Sequence, residues 1–168
     1  VIPSIFLSAY QTSDLFQKRV DIAAKALVQY SNEDRSAVGI RINYVINSWQ
    51  VMKKNPIIGI GTGDFPTEYS KINKINSPMM PDSENPHNMY ILVLMQLGLV
   101  GLFSLLSIFY YQIQYSYNSS SKFIRDVGIT LPILFLVLMW SDSYLLGHFT
   151  TLMYIFFSAF LYKDFEKN

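Results

Sequence analysis

Between Asn85 and Ser121 the chain carries no charged side chain, and between Val127 and Tyr162 it carries one, Asp142. Residues 14–85, by contrast, hold 17 of the 25 charged residues. A helix that crosses a bilayer needs about 20 mostly apolar residues. The run "MYILVLMQLGLVGLFSLLSIFYYQI", 89–113, meets that length once. Residues 127–162 meet it for two short spans, broken at "SDSYLLGH", 141–148. One tilted helix plus a re-entrant piece is the alternative for that last run. The expected fold class is an all-α integral membrane protein. It has C-terminal transmembrane helices and a long outer loop with amphipathic helices.

Orientation follows from the short loops. The linker 115–126 carries Lys122 and Arg125, the tail carries Lys163 and Lys167, and the 141–148 turn carries neither Lys nor Arg. Basic residues in short loops stay in the cytoplasm, whereas long loops cross largely regardless of charge. The expected organisation is then as follows. Residues 1–13 end a preceding transmembrane helix and 14–88 form the outer loop. Residues 89–113 span, 114–126 are a cytoplasmic linker, 127–162 form a transmembrane hairpin, and 163–168 are a cytoplasmic tail. The uncharged opening "VIPSIFLSAY" and Val1 in place of Met predict a C-terminal piece of a longer protein. A net charge of +1, from 13 basic and 12 acidic residues, gives no case for nucleic acid, and the absence of Cys excludes disulfides and thiolate chemistry.

Inside the outer loop, Phe16, Val20, Ala23, Leu27 and Tyr30 repeat at helical spacing, as do Val38, Ile42, Val45, Trp49 and Met52. Both sets predict amphipathic helices with one apolar stripe. Asn55-Pro56 ends the second, because the residue before proline is pushed out of the helical region. Pro66, Pro78, Pro81 and Pro86 with interspersed Asn and Ser predict an irregular loop over 66–86. Gly98 and Gly101 in "QLGLVG" read as small residues for close helix packing.

Two stretches are candidates for chemistry. "PIIGIGTGDF", 56–65, sets Gly59, Gly61 and Gly63 at alternate positions before Asp64. It is neither a dinucleotide fingerprint nor a Walker loop. Glycine runs make tight turns whose N–H groups can form an anion-binding concavity, or they pack closely against another backbone. "NPHNMY", 85–90, places His87 and Asn88 immediately before the first span. Imidazole is the side chain best suited to take a proton near neutral pH, and an ordinary interfacial His is the plain alternative. Arg41 opens the polar side of the second amphipathic helix, near Tyr44 and Ser48. Asp142 and His148 flank the last outer turn, where interfacial solvation is the plain reading.

The order of these elements resembles a known family. Arg41, Trp49, "NPIIGIGTGDF", "NPHNMY" and "QLGLVG" follow the pattern of the O-antigen ligase and polymerase family of bacterial envelope glycosyltransferases. That pattern is an Arg, an aromatic, Pro-Leu-x-Gly-x-Gly-x-Gly-Asn-Phe, a loop, His-x-His-Asn-x-Tyr-Leu, then Gly-Leu-x-Gly in a helix. The likeness covers residues 35–105. Asp64 replaces the usual Asn, and Asn85 replaces the first of two histidines.

The resemblance implies a multi-pass protein of the bacterial inner membrane, with its outer loop and site on the periplasmic face. It implies a donor glycan on undecaprenyl diphosphate. The acceptor is a sugar hydroxyl, on lipid A–core in a ligase or on a lipid-linked repeat in a polymerase. His87 is then the base and Arg41 the diphosphate contact. Asn88, Gly59, Gly61, Gly63 and Asp64 are candidate substrate-binding residues. No cofactor is expected. No acidic cluster with metal spacing occurs in the sequence, so catalysis without a bound metal is expected. A related protein-glycosylating transferase shares the pattern. The reading from another class is a non-catalytic membrane transport subunit, which should place ionisable or unwound polar sites within its spans; residues 89–113 carry no charged residue.

Overall fold

A computed structural model describes residues 2–28 and 35–163. Tyr30 of the first expected stripe and Lys167 of the tail lie outside them. All regular structure among the described residues is helical: α1 (Ile2–Thr12), α2 (Asp14–Val28), α3 (Ala37–Met52), α4 (Phe65–Asn76), α5 (Met89–Tyr117), α6 (Lys122–Ser141) and α7 (His148–Leu161). A single 3-10 turn, Tyr144–Leu146, joins the last two. Helices α5 and α6 are long and apolar enough to cross a membrane.

Helix α4 corrects the expected irregular loop over 66–86. Pro66 stands in its first turn, where a missing N–H costs nothing and the fixed φ favours entry. Pro78 follows its end. The prolines therefore bracket a helix, whose Phe65 and Tyr69 are fully buried.

The stripe expected on α3 also turns out differently. Val45 and Trp49 are about half exposed, while Asn43, Tyr44, Asn47, Ser48 and Val51 are buried. The reason lies in the partner. Helix α4 offers Asn73, whose Oδ1 accepts from Asn47 Nδ2 at 3.2 Å and from Asn43 Nδ2 at 3.4 Å. Ser77 Oγ donates to Asn43 Oδ1 at 2.8 Å, and Asn76 Nδ2 donates to Asn47 Oδ1 at 3.0 Å. Buried amides are tolerable when each finds such partners. Asn73 Nδ2 also reaches Asp82 Oδ1 at 3.0 Å, and Ser70 donates to Asp82 Oδ2 at 2.8 Å. These two bonds, that from Ser70 foremost, hold the Asp82 carboxyl below its usual range. The network fixes α3 on α4, and it fixes the position of Tyr44 with them.

Helix α5 is not straight. Gly98 has φ 64° and ψ −160°, a backbone region that is essentially reserved for glycine. The register with its neighbours shows what the break does. Gly128 of α6 packs on Ser116, and Phe135 of α6 and Phe109 of α5 both pack on Tyr154 of α7, at 4.7 and 5.7 Å between ring centres. Because the helices rise equally, the C-terminal end of α6 is level with about residue 103 of α5. A straight α5 would carry residue 90 roughly 27 Å beyond Leu136. Instead Tyr90 OH donates to the Leu136 carbonyl at 2.6 Å. The arm 89–97 therefore folds back over the end of the bundle. The arm after the break, 99–117, is about 28 Å long, matching the roughly 30 Å of α6.

Candidate active site

The glycine turn sits at the vertex of this bend. Breaking a helix orphans carbonyls before the break and N–H groups after it. Here Ile60 and Gly61 donate to the Met95 and Gln96 carbonyls at 2.9 and 3.0 Å. Leu99 and Val100 donate to the Pro56 and Ile57 carbonyls at 2.9 and 3.1 Å. The two main chains touch directly. A Cβ on Gly59 would lie 2.4 Å from the Gln96 carbonyl carbon, and one on Gly98 would lie 2.3 Å from the Ile57 oxygen. Gly98 is thus not a small residue for helix packing but the point where the turn is spliced into α5.

This geometry sorts the candidate residues. The Gly59 and Gly61 N–H groups are engaged by protein carbonyls, that of Gly59 by Asn55 at 2.9 Å. Gly63 and Asp64 are exposed at the head of α4. Asn88 caps the folded-back arm, its Oδ1 accepting from Ile91 N at 3.1 Å, and its Nδ2 donates to the Trp140 carbonyl at 3.0 Å. Both ends of that amide have a structural partner.

His87 is held from three directions. Its φ is 51°, the left-handed region that non-glycine residues seldom enter. Asn85 Oδ1 stabilises that conformation by accepting the His87 N–H at 2.9 Å, and it also accepts from Ser143 Oγ at 2.6 Å. The ring stacks on Tyr44, with centres 6.0 Å apart and 26° between planes. On its edge, Nδ1 lies 3.1 Å from Asp142 Oδ1. That carboxylate oxygen is itself fixed by the Ser143 N–H at 2.7 Å. The His87 and Asp142 side chains are 44% and 41% exposed, so the pair is solvent-accessible and open to a substrate. Asn85, Asp142 and His148 border an open cleft of about 450 Å³ over the α6–α7 turn. Arg41 is exposed on α3, three residues before the buried Tyr44.

Residues 1–106 match the family described as O-antigen ligase. The chain belongs to the O-antigen ligase family. No curated protein matches it. Family membership implies glycan transfer of the ligase or polymerase type with lipid-linked glycans, and with the apolar helices it makes this a membrane protein. The matched segment of this O-antigen ligase family member includes Arg41, the glycine turn and His87 and stops short of Asp142. Asp142 is the residue that sequence reasoning left at the interface. Its one signal was being the sole charge within 127–162.

Proposed function

We propose that this chain supplies the base and a diphosphate contact for transfer of a glycan from undecaprenyl diphosphate to a sugar hydroxyl of lipid A–core. The observation that carries this reading is the His87–Asp142 pair, two partly exposed side chains 55 residues apart brought to 3.1 Å, with Asp142 on the border of the open cleft. With Nδ1–H donating its hydrogen bond to the Asp142 carboxylate, Nε2 is the basic nitrogen. The acceptor hydroxyl loses its proton to Nε2 as its oxygen bonds to the anomeric carbon. The bond from that carbon to the diphosphate oxygen breaks, and its electron pair leaves on undecaprenyl diphosphate. Asp142 offsets the positive charge that forms on the ring. Arg41 suits the departing diphosphate, because a planar guanidinium can hold two phosphate oxygens at once. Gly63 and Asp64 are left exposed and remain candidates for substrate contact, whereas Gly59 and Gly61 act by holding the bend. A polymerase would use the same atoms with a lipid-linked repeat as acceptor.

Arg41 provides the test of the diphosphate contact. Loss of a charge-assisted bond of about 1.5–3 kcal/mol lowers transfer by roughly 10–150-fold. Arg41→Ala should show the full loss at matched expression, and Arg41→Lys most of it, because an ammonium keeps the charge without the fork. Lys74→Ala, on the exposed side of α4, should change transfer less than twofold. Full activity in Arg41→Ala would remove this residue from the site.

Orientation is tested by labelling. A cysteine at exposed Glu84 should react with an impermeant thiol reagent added to the periplasmic side of intact inner membranes, and one at exposed Ser120 should not. Labelling at Ser120 alone would invert the topology and put His87 on the wrong side for this donor.

A further inference from the structure

One side-chain oxygen, Oδ1 of Asn85, links the two halves of the His87–Asp142 pair. Asn85 is pinned before it acts on either. Ser83 Oγ donates to the Asn85 carbonyl at 2.6 Å and accepts from the Asn85 N–H at 3.2 Å. The buried Pro86 that follows narrows the same backbone to extended conformations. The side chain then works in two directions. Its Oδ1 accepts the N–H of His87 two residues on, a turn closed by an Asn side chain that holds the positive φ of the histidine. The same oxygen accepts from Ser143 Oγ, 58 residues away, and the Ser143 N–H donates in turn to the Asp142 carboxylate. Ser143 is 4% exposed, so its hydroxyl has little water to turn to when this acceptor is lost.

The two donors need an acceptor with two lone pairs. An amide carbonyl has them, whereas a neutral imidazole has one acceptor nitrogen with a single lone pair. A histidine at position 85, the residue of the family pattern, could take one of these bonds and not both. Asparagine at 85 and serine at 143 therefore belong together. We infer that Asn85 and Ser143 are positioning residues that hold the base and its carboxylate in register, and that position 85 supplies an acceptor rather than a second base. This rests on the His87 base proposed above.

The test uses the full-length protein in mild detergent, with kcat, KM and thermal unfolding read on the same samples. Asn85→Leu keeps the approximate volume and removes the acceptor. It should lower kcat about tenfold or more and leave KM for donor and acceptor within about twofold. Ser143→Ala should lower kcat about three- to tenfold. Adding it to Asn85→Leu should cost less than about twofold more, because both remove the same bond. Asn85→Asp, still an oxygen acceptor, should recover most of the loss, and Asn85→His should fall with Asn85→Leu. Parent-level transfer in Asn85→His, losses that multiply in the double variant, or no recovery in Asn85→Asp would each overturn the inference. Unfolding separates it from the catalytic reading. The same non-additive pattern in unfolding temperature, in a protein whose transfer ignores His87, would keep the link and sink the base. Transfer that needs His87 but is indifferent to Asn85 and Ser143 would keep the base and sink the link.

Discussion

Replacing His87 is expected to lower glycan transfer by about 10²–10⁴-fold if it is the proposed base, the usual effect of losing a positioned acid–base group, with membrane abundance near that of the parent. The choice of variant matters because of the φ of 51° at this position. Asparagine tolerates the left-handed region better than alanine does. His87→Asn therefore keeps the backbone turn while removing the basic nitrogen, and it should be as inactive as His87→Ala. In the proposed mechanism Asp142 acts through His87, so Asp142→Asn should lower kcat and leave KM for donor and acceptor near normal. Asp142→Glu should restore part of the loss. Steady-state transfer with purified protein reads all four variants. Near-full activity in either His87 variant would show that the base lies elsewhere.

Gly98→Ala is expected to cause the largest loss of stability of any single methyl added to this chain. Two costs combine. The φ, ψ pair of 64°, −160° is closed to residues with a Cβ, at about 1–3 kcal/mol. The added carbon would also sit 2.3 Å from the Ile57 oxygen, and relieving that overlap separates the turn from the helix. Each main-chain bond lost between them forfeits about 1 kcal/mol. The total is about 4 kcal/mol or more, a large part of the stability of an ordinary domain. Gly63→Ala is the matched comparison. Its φ is 87°, yet nothing lies within 4 Å of the added carbon, so only the conformational cost of about 1–2 kcal/mol applies. Thermal unfolding in mild detergent, together with folded yield, separates the two. Equal losses would mean that the contact between turn and helix contributes little.

What could be read beforehand divides along the distance between interacting residues. The all-helical class followed from charge-free runs and helical spacing, which are local properties. Helix α3 begins at the cap Ser36, whose hydroxyl accepts from Gly39 N, and ends just before Asn55-Pro56. Its spacing gave the helix but not its inner face, because Asn43 and Asn47 become core residues only through Asn73 of α4 and Ser77 just after it. Helix α4 was hidden by Pro66, whose role depends on whether it stands in a first turn or an interior. Gly98 looked like a packing residue because nothing nearby in the chain announces the turn that meets it. His87 could be singled out as a candidate from its position, whereas its contact with Asp142 could not: Asp142 meets it only after the chain has run through α5 and back through α6.

The splice at the vertex of α5 is written in main chain. Pro56, Ile57, Ile60, Gly61, Met95, Gln96, Leu99 and Val100 take part through atoms that almost every residue type possesses. The exposed side chains of Ile57, Leu99 and Val100 are therefore free to drift across descendants of this sequence, while Gly59 and Gly98 are fixed by the backbone they touch. A saturation mutagenesis screen scored on glycan output would report these two glycines as intolerant as His87. It would group them with the proposed base, although their contribution is to let one backbone lie against another.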